Sequence, residues 1–353
     1  MASAPDAPAP VRKRRRRYSG KNPRTFHEKY KELNPERYPS DVRDIVESGR
    51  TPAGMHRAIM VADVVQLLAP KPGEVAVDCT LGFGGHACAI LERIGSTGRL
   101  IGLDVDPLEL PRTEDRLRQA GFDAGRFTAH RSNFAALPHV LAKEGLAAAD
   151  MILADLGVSS MQLDNPDRGF TYKAPGPLDM RMNPSRGEPA STLLTRLSEE
   201  QLAQVLEEYA DEPHARIIAR LLKQQPIATT RDLGEIIRSG IWSVHPRALK
   251  EDVETSIRRT CQALRIAVND ELSALATLLR HLPQCLAPGG RAVFLTFHSG
   301  EDRRVKKAFQ TGCREGVYSA VATEVMRPSK AEVRANPRAA SAKLRWAVRS
   351  LKS

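Results

Sequence analysis

Residues 75–106, VAVDCTLGFGGHACAILERIGSTGRLIGLDVD, constrain the fold more than any other stretch. Val75-Ala76-Val77 is a short apolar run of strand type that ends in Asp78, followed by a turn containing Gly82, Gly84 and Gly85. Ala87, Ala89-Ile90-Leu91 and Ile94 then recur at helical spacing until Gly95 and Gly98 stop the helix. A second apolar run, Leu100-Ile101-Gly102-Leu103, ends in Asp104. Such a strand–glycine turn–helix–strand unit, closed by an acid, is how α/β proteins hold an adenosine-bearing cofactor. The glycines admit the ligand to the backbone and allow positive φ. The acid is placed to accept both hydroxyls of a ribose. Gly82-x-Gly84-x-x-Ala87 satisfies only a loose dinucleotide fingerprint, so this unit alone suits NAD as well as S-adenosylmethionine.

The charge is unevenly spread. Residues 1–50 carry 13 Lys/Arg against 7 Asp/Glu and residues 301–353 carry 13 against 5, so a total of +11 leaves the body between them slightly acidic. Two basic ends on a near-neutral body suit a polyanionic partner. The five cysteines are scattered with no CxxC pair, which indicates neither a zinc site nor a disulfide framework. No apolar run is long enough to span a bilayer. A reducing cytoplasm fits this composition.

Residues 1–24 are Ala/Pro-rich and then basic (Arg12 to Arg17), a disordered arm by composition that lacks the apolar core of a signal peptide. The spacing predicts a helix over Met60–Leu68 and strands at 75–77, 100–103, 127–130 and 151–154, alternating with helices. Four such alternations imply a parallel sheet with right-handed crossovers. Residues 158–190 are then loop-like. Residues 198–286 read as helices only, with a capping box at Ser198-x-x-Gln201 and apolar residues at helical spacing from Val253 to Leu282. Strand character resumes at 291–297, after the turn Pro288-Gly289-Gly290, and again at 344–348. The expected organisation is an arm over 1–54, a core over 55–165 and 287–353, and a helical insertion over 166–286.

In an open parallel sheet the ligand lies across the carboxyl ends of the strands. Gly84-Gly85-His86 follows strand 1, Asp104 ends strand 2, Asn133-Phe134 follows strand 3 and Asp155 ends strand 4. Asp104 suits the ribose, Phe134 suits the adenine and Asp155 faces the place of a transferred group. Each alone has a packing or capping explanation, but four at corresponding strand ends make a site.

Six further stretches, DLGVSSMQLD, RGF, GPLDMRM, QALRIAVNDEL, FHSGEDRRVK and NPRAASAKLR, resemble successive motifs of the bacterial 16S ribosomal RNA (cytosine-N4) methyltransferase family. The resemblance runs from about His56 to Arg349. It implies a class I methyltransferase sheet, Rossmann-like and doubly wound, with a helical insertion after the fourth strand, and S-adenosylmethionine as cofactor. It also implies a decoding-site cytidine of the small ribosomal subunit as target. Carried over by motif, Gly84, Gly85, His86, Asp104, Phe134, Asp155 and Gln162 would contact the cofactor. No metal is implied. The sequence departs from the family pattern at Ala58 (usually proline), Gly300 (usually leucine) and Cys261 (usually phenylalanine).

A cytosine N4 is a weak nucleophile because its lone pair is delocalised into the ring. The work of such an enzyme is to align N4 and to accept a hydrogen bond from its N–H. Asp155 is the first candidate for that acceptor, with Ser159 and Ser160 beside it. A methyltransferase acting on another RNA fits the same features. An NAD-dependent oxidoreductase shares the glycine turn but leaves the basic ends without a role. A non-catalytic RNA-binding protein shares those ends but has no need of four polar strand ends. Monomer and homodimer both fit the sequence.

Overall fold

A computed structural model describes residues 58–351; the basic arm and the boundary expected near residue 54 lie outside the described residues. Helix α1 (Val61–Leu68) leads into β1 (Val75–Asp78), α2 (Gly85–Ile94), β2 (Arg99–Asp104), α3 (Glu109–Gln119), β3 (Phe127–Arg131), α4 (Leu137–Lys143) and β4 (Ala149–Asp155). After the insertion come β5 (Leu286–Thr296), α12 (Ser299–Arg314), β6 (Tyr318–Val321), α13 (Lys330–Ala335) and β7 (Lys343–Arg349). The sheet order is β3-β2-β1-β4-β5-β7-β6. The first five strands are parallel, whereas β7 runs antiparallel to both β5 and β6.

Both faces of the parallel strands are covered, and for that reason they read as continuous apolar runs and not as alternating ones. Val77, Ile101, Ile152 and Phe294 pack on one side with residues of α4, α12 and the helix preceding β5. Their neighbours Ala76, Leu100, Met151 and Val293 pack on the other with α1, α2 and α3. The chain moves outward from β1 to β3 and then returns to place β4 on the other side of β1. This reversal opens a crevice at the carboxyl ends of β1 and β4, the usual ligand position in such sheets.

Between β4 and β5 the chain forms α5 (Ser160–Asp164), α6 (Ala190–Arg196), α7 (Glu199–Ala210), α8 (Ala215–Leu222), α9 (Thr230–Val244), α10 (Lys250–Asn269) and α11 (Glu271–Cys285). Helices α6 to α10 share their own apolar cluster, which includes Leu206, Ile218, Ile237 and Leu264. The Ser198–Gln201 capping box forms as the sequence predicts.

The apolar stretch from Val253 to Leu282 is two helices, because Asp270 adopts a left-handed conformation (φ 49°) and ends α10. Leu275, Leu278 and Leu282 of α11 then join the sheet's cluster. Hydrophobic packing therefore passes back to the core at Asp270, ahead of residue 286. Two further expectations are corrected. The loop-like region 158–190 contains α5 and a 3-10 turn at Pro166–Arg168, and β6 is an additional edge strand. Pro288-Gly289-Gly290 turns the chain where β5 skips register against β4, between Ala149↔Leu286 and Met151↔Arg291. Among the described residues no helix is long and apolar enough to cross a membrane, and no group of His, Cys, Asp or Glu could hold a metal ion. All five cysteines are free.

Candidate active site

The glycine turn is shaped to lie open. Gly84 has φ +83°, and a β-carbon built on it would meet Thr113 Cγ2 at 2.9 Å; one on Gly85 would meet Ala58 Cβ at 3.0 Å. A side chain at either position would push the turn away from its supports. Thr113 on α3 also donates to the Gly82 carbonyl (2.6 Å). Ala58, the departure from the resembled pattern, thus packs directly on the turn.

Asp104 is fixed from both sides. Its Oδ2 accepts from Gly82 N (2.8 Å) and its Oδ1 from Asp106 N (2.9 Å), so the carboxylate bridges the glycine turn and the end of β2. It stays half-buried, and burial pushes its pKa up to about 6 against those two N–H groups. Each oxygen keeps a lone pair for a further donor, as a ribose diol requires.

At the end of β4 the backbone N–H of Asp155 donates to Thr80 Oγ1 (2.6 Å). The Asp155 side chain is 25% exposed, and its Oδ2 lies 3.4 Å from His86 Nε2. Its Oδ1 has no hydrogen-bond partner among the described residues, and neither ring nitrogen of His86 meets hydrogen-bond geometry. His86 is buried on α2. Burial pulls its pKa down, but the carboxylates of Asp155, Asp78 and Glu332 outweigh this and raise it. Asp78, fully buried at the end of β1, is itself pushed up to about 6 by burial, with His86 pulling the other way. A carboxylate oxygen shut from water without a donor costs stability unless a ligand supplies one.

The remaining expected residues are placed as follows. Phe134 begins a 3-10 turn after β3, capped by Asn133, and packs partly against the sheet's cluster. Ser159 caps α5: its Oγ accepts from Gln162 N, and Gln162 Oε1 accepts from Ser159 N. Ser160 is the first residue of that helix. Gln162 also donates through Nε2 to Asp106 Oδ2 (2.8 Å), so one amide hydrogen is left for any ligand.

Sequence reasoning missed what holds this loop. Arg168 donates to Asp106 Oδ2 (2.7 Å) and to the carbonyls of Met182 (2.8 Å) and Arg181 (3.2 Å). Asn269 then grips the next stretch, accepting from Met182 N and donating to the Met180 carbonyl, with Met180 held at φ 63°. Asp78 was legible by the rule that identified Asp104, an acid closing a buried strand. Asp106 and Arg168 lie far apart in sequence and gave no paired signal. Two departures are also accounted for. A β-carbon on Gly300 would sit 3.1 Å from His298 Nδ1, so glycine lets that buried ring lie where it does. Cys261 packs in the insertion's cluster, and burial pushes its thiol up to about 12, which leaves it inert.

A glycine cradle and acids closing β1, β2 and β4 meet at the switch point of a Rossmann-like sheet of the class I methyltransferase kind. Residues 53–350 match the sequence profile of the MraW methylase family, and the chain belongs to that family, whose methyl donor is S-adenosylmethionine. It is 45% identical over 344 residues to ribosomal RNA small subunit methyltransferase H 2 of Alkaliphilus metalliredigens, covering 96% of this chain and 98% of that one. It is 46% identical over 343 residues to ribosomal RNA small subunit methyltransferase H 1 of Agathobacter rectalis, again covering 96% and 98%. Among solved structures, a SAM-dependent O-methyltransferase from Thermotoga maritima aligns with a TM-score of 0.39 at 12% identity, over 89% of this chain and 73% of that one.

Proposed function

We propose that the chain methylates the exocyclic N4 of a decoding-site cytidine in 16S ribosomal RNA. The similarity to ribosomal RNA small subunit methyltransferases supports small-subunit RNA as substrate, and the six motifs support the cytidine. The observation that carries the chemistry is Asp155, an aspartate at the end of β4 whose Oδ1 has no donor among the described residues. Gly84, Gly85, Asp104 and Phe134 would hold the cofactor, which supplies a methyl group on a sulfonium and so an electrophile that needs no activation. Asp104 takes the ribose hydroxyls, and the cradle brings backbone close to the ligand.

Asp155 accepts a hydrogen bond from the N4 amino group, which returns lone-pair character to the nitrogen and offsets the positive charge developing on it. His86 sets its ring against Oδ2 and so orients the carboxylate, leaving Oδ1 for the substrate. Ser159, whose Oγ already accepts from Gln162 N, has its hydroxyl proton to donate to the base. The target base must leave any stack to reach this crevice.

Asp155→Asn keeps the size and removes the charge, so the step should suffer more than binding. Single-turnover methyl transfer to small-subunit RNA at saturating cofactor and RNA should slow by roughly 10²–10³-fold. A rate within about threefold of wild type would remove Asp155 from the chemistry and leave it a binding residue.

A further inference from the structure

The connection between β6 and β7 carries most of the NPRAASAKLR motif, and it is tied to the site at two points. Glu332 on α13 accepts from the backbone N–H of Met60 (2.7 Å), two residues from the Ala58 that supports the glycine turn. The Glu332 carboxylate is also one of the charges that raise the pKa of His86. Further on, Arg338 makes a two-pronged contact with Asp164, at 2.7 and 3.2 Å, on the helix that holds Ser159, Ser160 and Gln162. The connection therefore reaches from the β6 edge of the sheet back to the rim of the cofactor crevice.

Its outer side is cationic. Lys330 and Arg334 stand four residues apart on α13 and so share a face, while Glu332 between them points to the opposite one. Both are exposed, as is Arg327 at the approach to the helix. Among the described residues none of these three has an ion-pair partner, whereas Arg338 and Lys343 of the same connection are paired with Asp164 and Asp302. Like charges four residues apart on a helix repel each other. Three exposed cations with no ion-pair partner among the described residues suit an anionic partner.

We propose that Arg327, Lys330 and Arg334 form a contact surface for the sugar-phosphate backbone of the RNA whose base enters the crevice, an inference that rests on the RNA reading above. Phosphate contacts of this kind position the substrate without reading its sequence. Glu332 and Arg338 tie the connection that carries these cations to Met60 and Asp164, so a bound backbone and a base delivered to the crevice are linked.

The test compares wild type with the triple variant Arg327→Gln, Lys330→Gln, Arg334→Gln, using small subunits from cells that lack the methylase. Affinity should fall on the order of tenfold at moderate salt, and the log–log salt slope should flatten by about two, since each lost phosphate contact removes roughly 0.7–0.9. The dissociation constant for S-adenosylmethionine and the thermal midpoint should stay at the wild-type values, which reports an intact fold. If wild type binds and methylates the subunits and the variant matches it in affinity and slope, this surface is not an RNA contact. If wild type neither binds nor methylates them, the RNA reading itself fails.

Discussion

Asp104 is the residue whose environment makes the sharpest demand on conditions. In the unfolded chain it would lose its proton near 3.8, and in the folded chain it does so at about 6. Its contribution to stability is thus complete below 3.8 and is lost as pH rises through 6. Cofactor binding runs the other way, because the charged carboxylate is the better acceptor for two ribose hydroxyls. The dissociation constant for S-adenosylmethionine should therefore fall as pH rises from about 5 to about 7.5. Asp104→Asn should flatten most of that change, and Asp104→Ala should weaken binding by about 1.5–3 kcal/mol. Titration calorimetry across this range decides it: the same pH dependence in wild type and Asp104→Asn would take Asp104 off the ribose. At this scale the positions of Asp104 and Asp155 were the most readable, because an acid that closes an unbroken apolar run marks a strand's carboxyl end. It was least readable for His86, whose charge depends on Asp78, Asp155 and Glu332, three groups brought together only by the fold.

At the scale of elements, the loops beyond β4 are organised by a buried ion pair. Asp106 and Arg168 are 1% and 8% exposed and 2.7 Å apart, with Gln162 as a third partner. Removing one member of a buried pair leaves an uncompensated charge, which typically costs about 3–5 kcal/mol. Arg168→Ala should destabilise the chain by about 3 kcal/mol, toward the low end because Gln162 still donates to Asp106. Denaturant unfolding measures this, and a loss under about 1 kcal/mol would show that the pair is not what holds the loop. The parallel strands were legible because two-sided burial writes itself as unbroken apolar runs. The boundary at Asp270 was not, since α10 and α11 have the same helical periodicity and differ only in the cluster they face. Strand β6 was hidden for a related reason: Tyr318–Val321 is a short edge strand paired on one side only.

For the whole molecule, the reversal of strand order at β1 and β4 determines where chemistry can occur, and the polar strand ends fill that place. The insertion, with its own apolar cluster, supplies the Asn269 clamp on the loop that Arg168 also holds. The strongly basic stretch 301–353 includes the connection that returns to the crevice, so the charge pattern read from the sequence acquires a location. Fold and cofactor follow from the glycine unit and family membership; the modified atom depends on the reading of Asp155 and its surroundings. The most direct test is mass mapping of the nucleosides formed when the purified chain and S-adenosylmethionine are incubated with small subunits from cells that lack the methylase. The account predicts a single new N4-methylcytidine within the decoding-site fragment of 16S RNA, absent with Asp155→Asn over the same time. A methyl group on carbon, on ribose or on another base would contradict it.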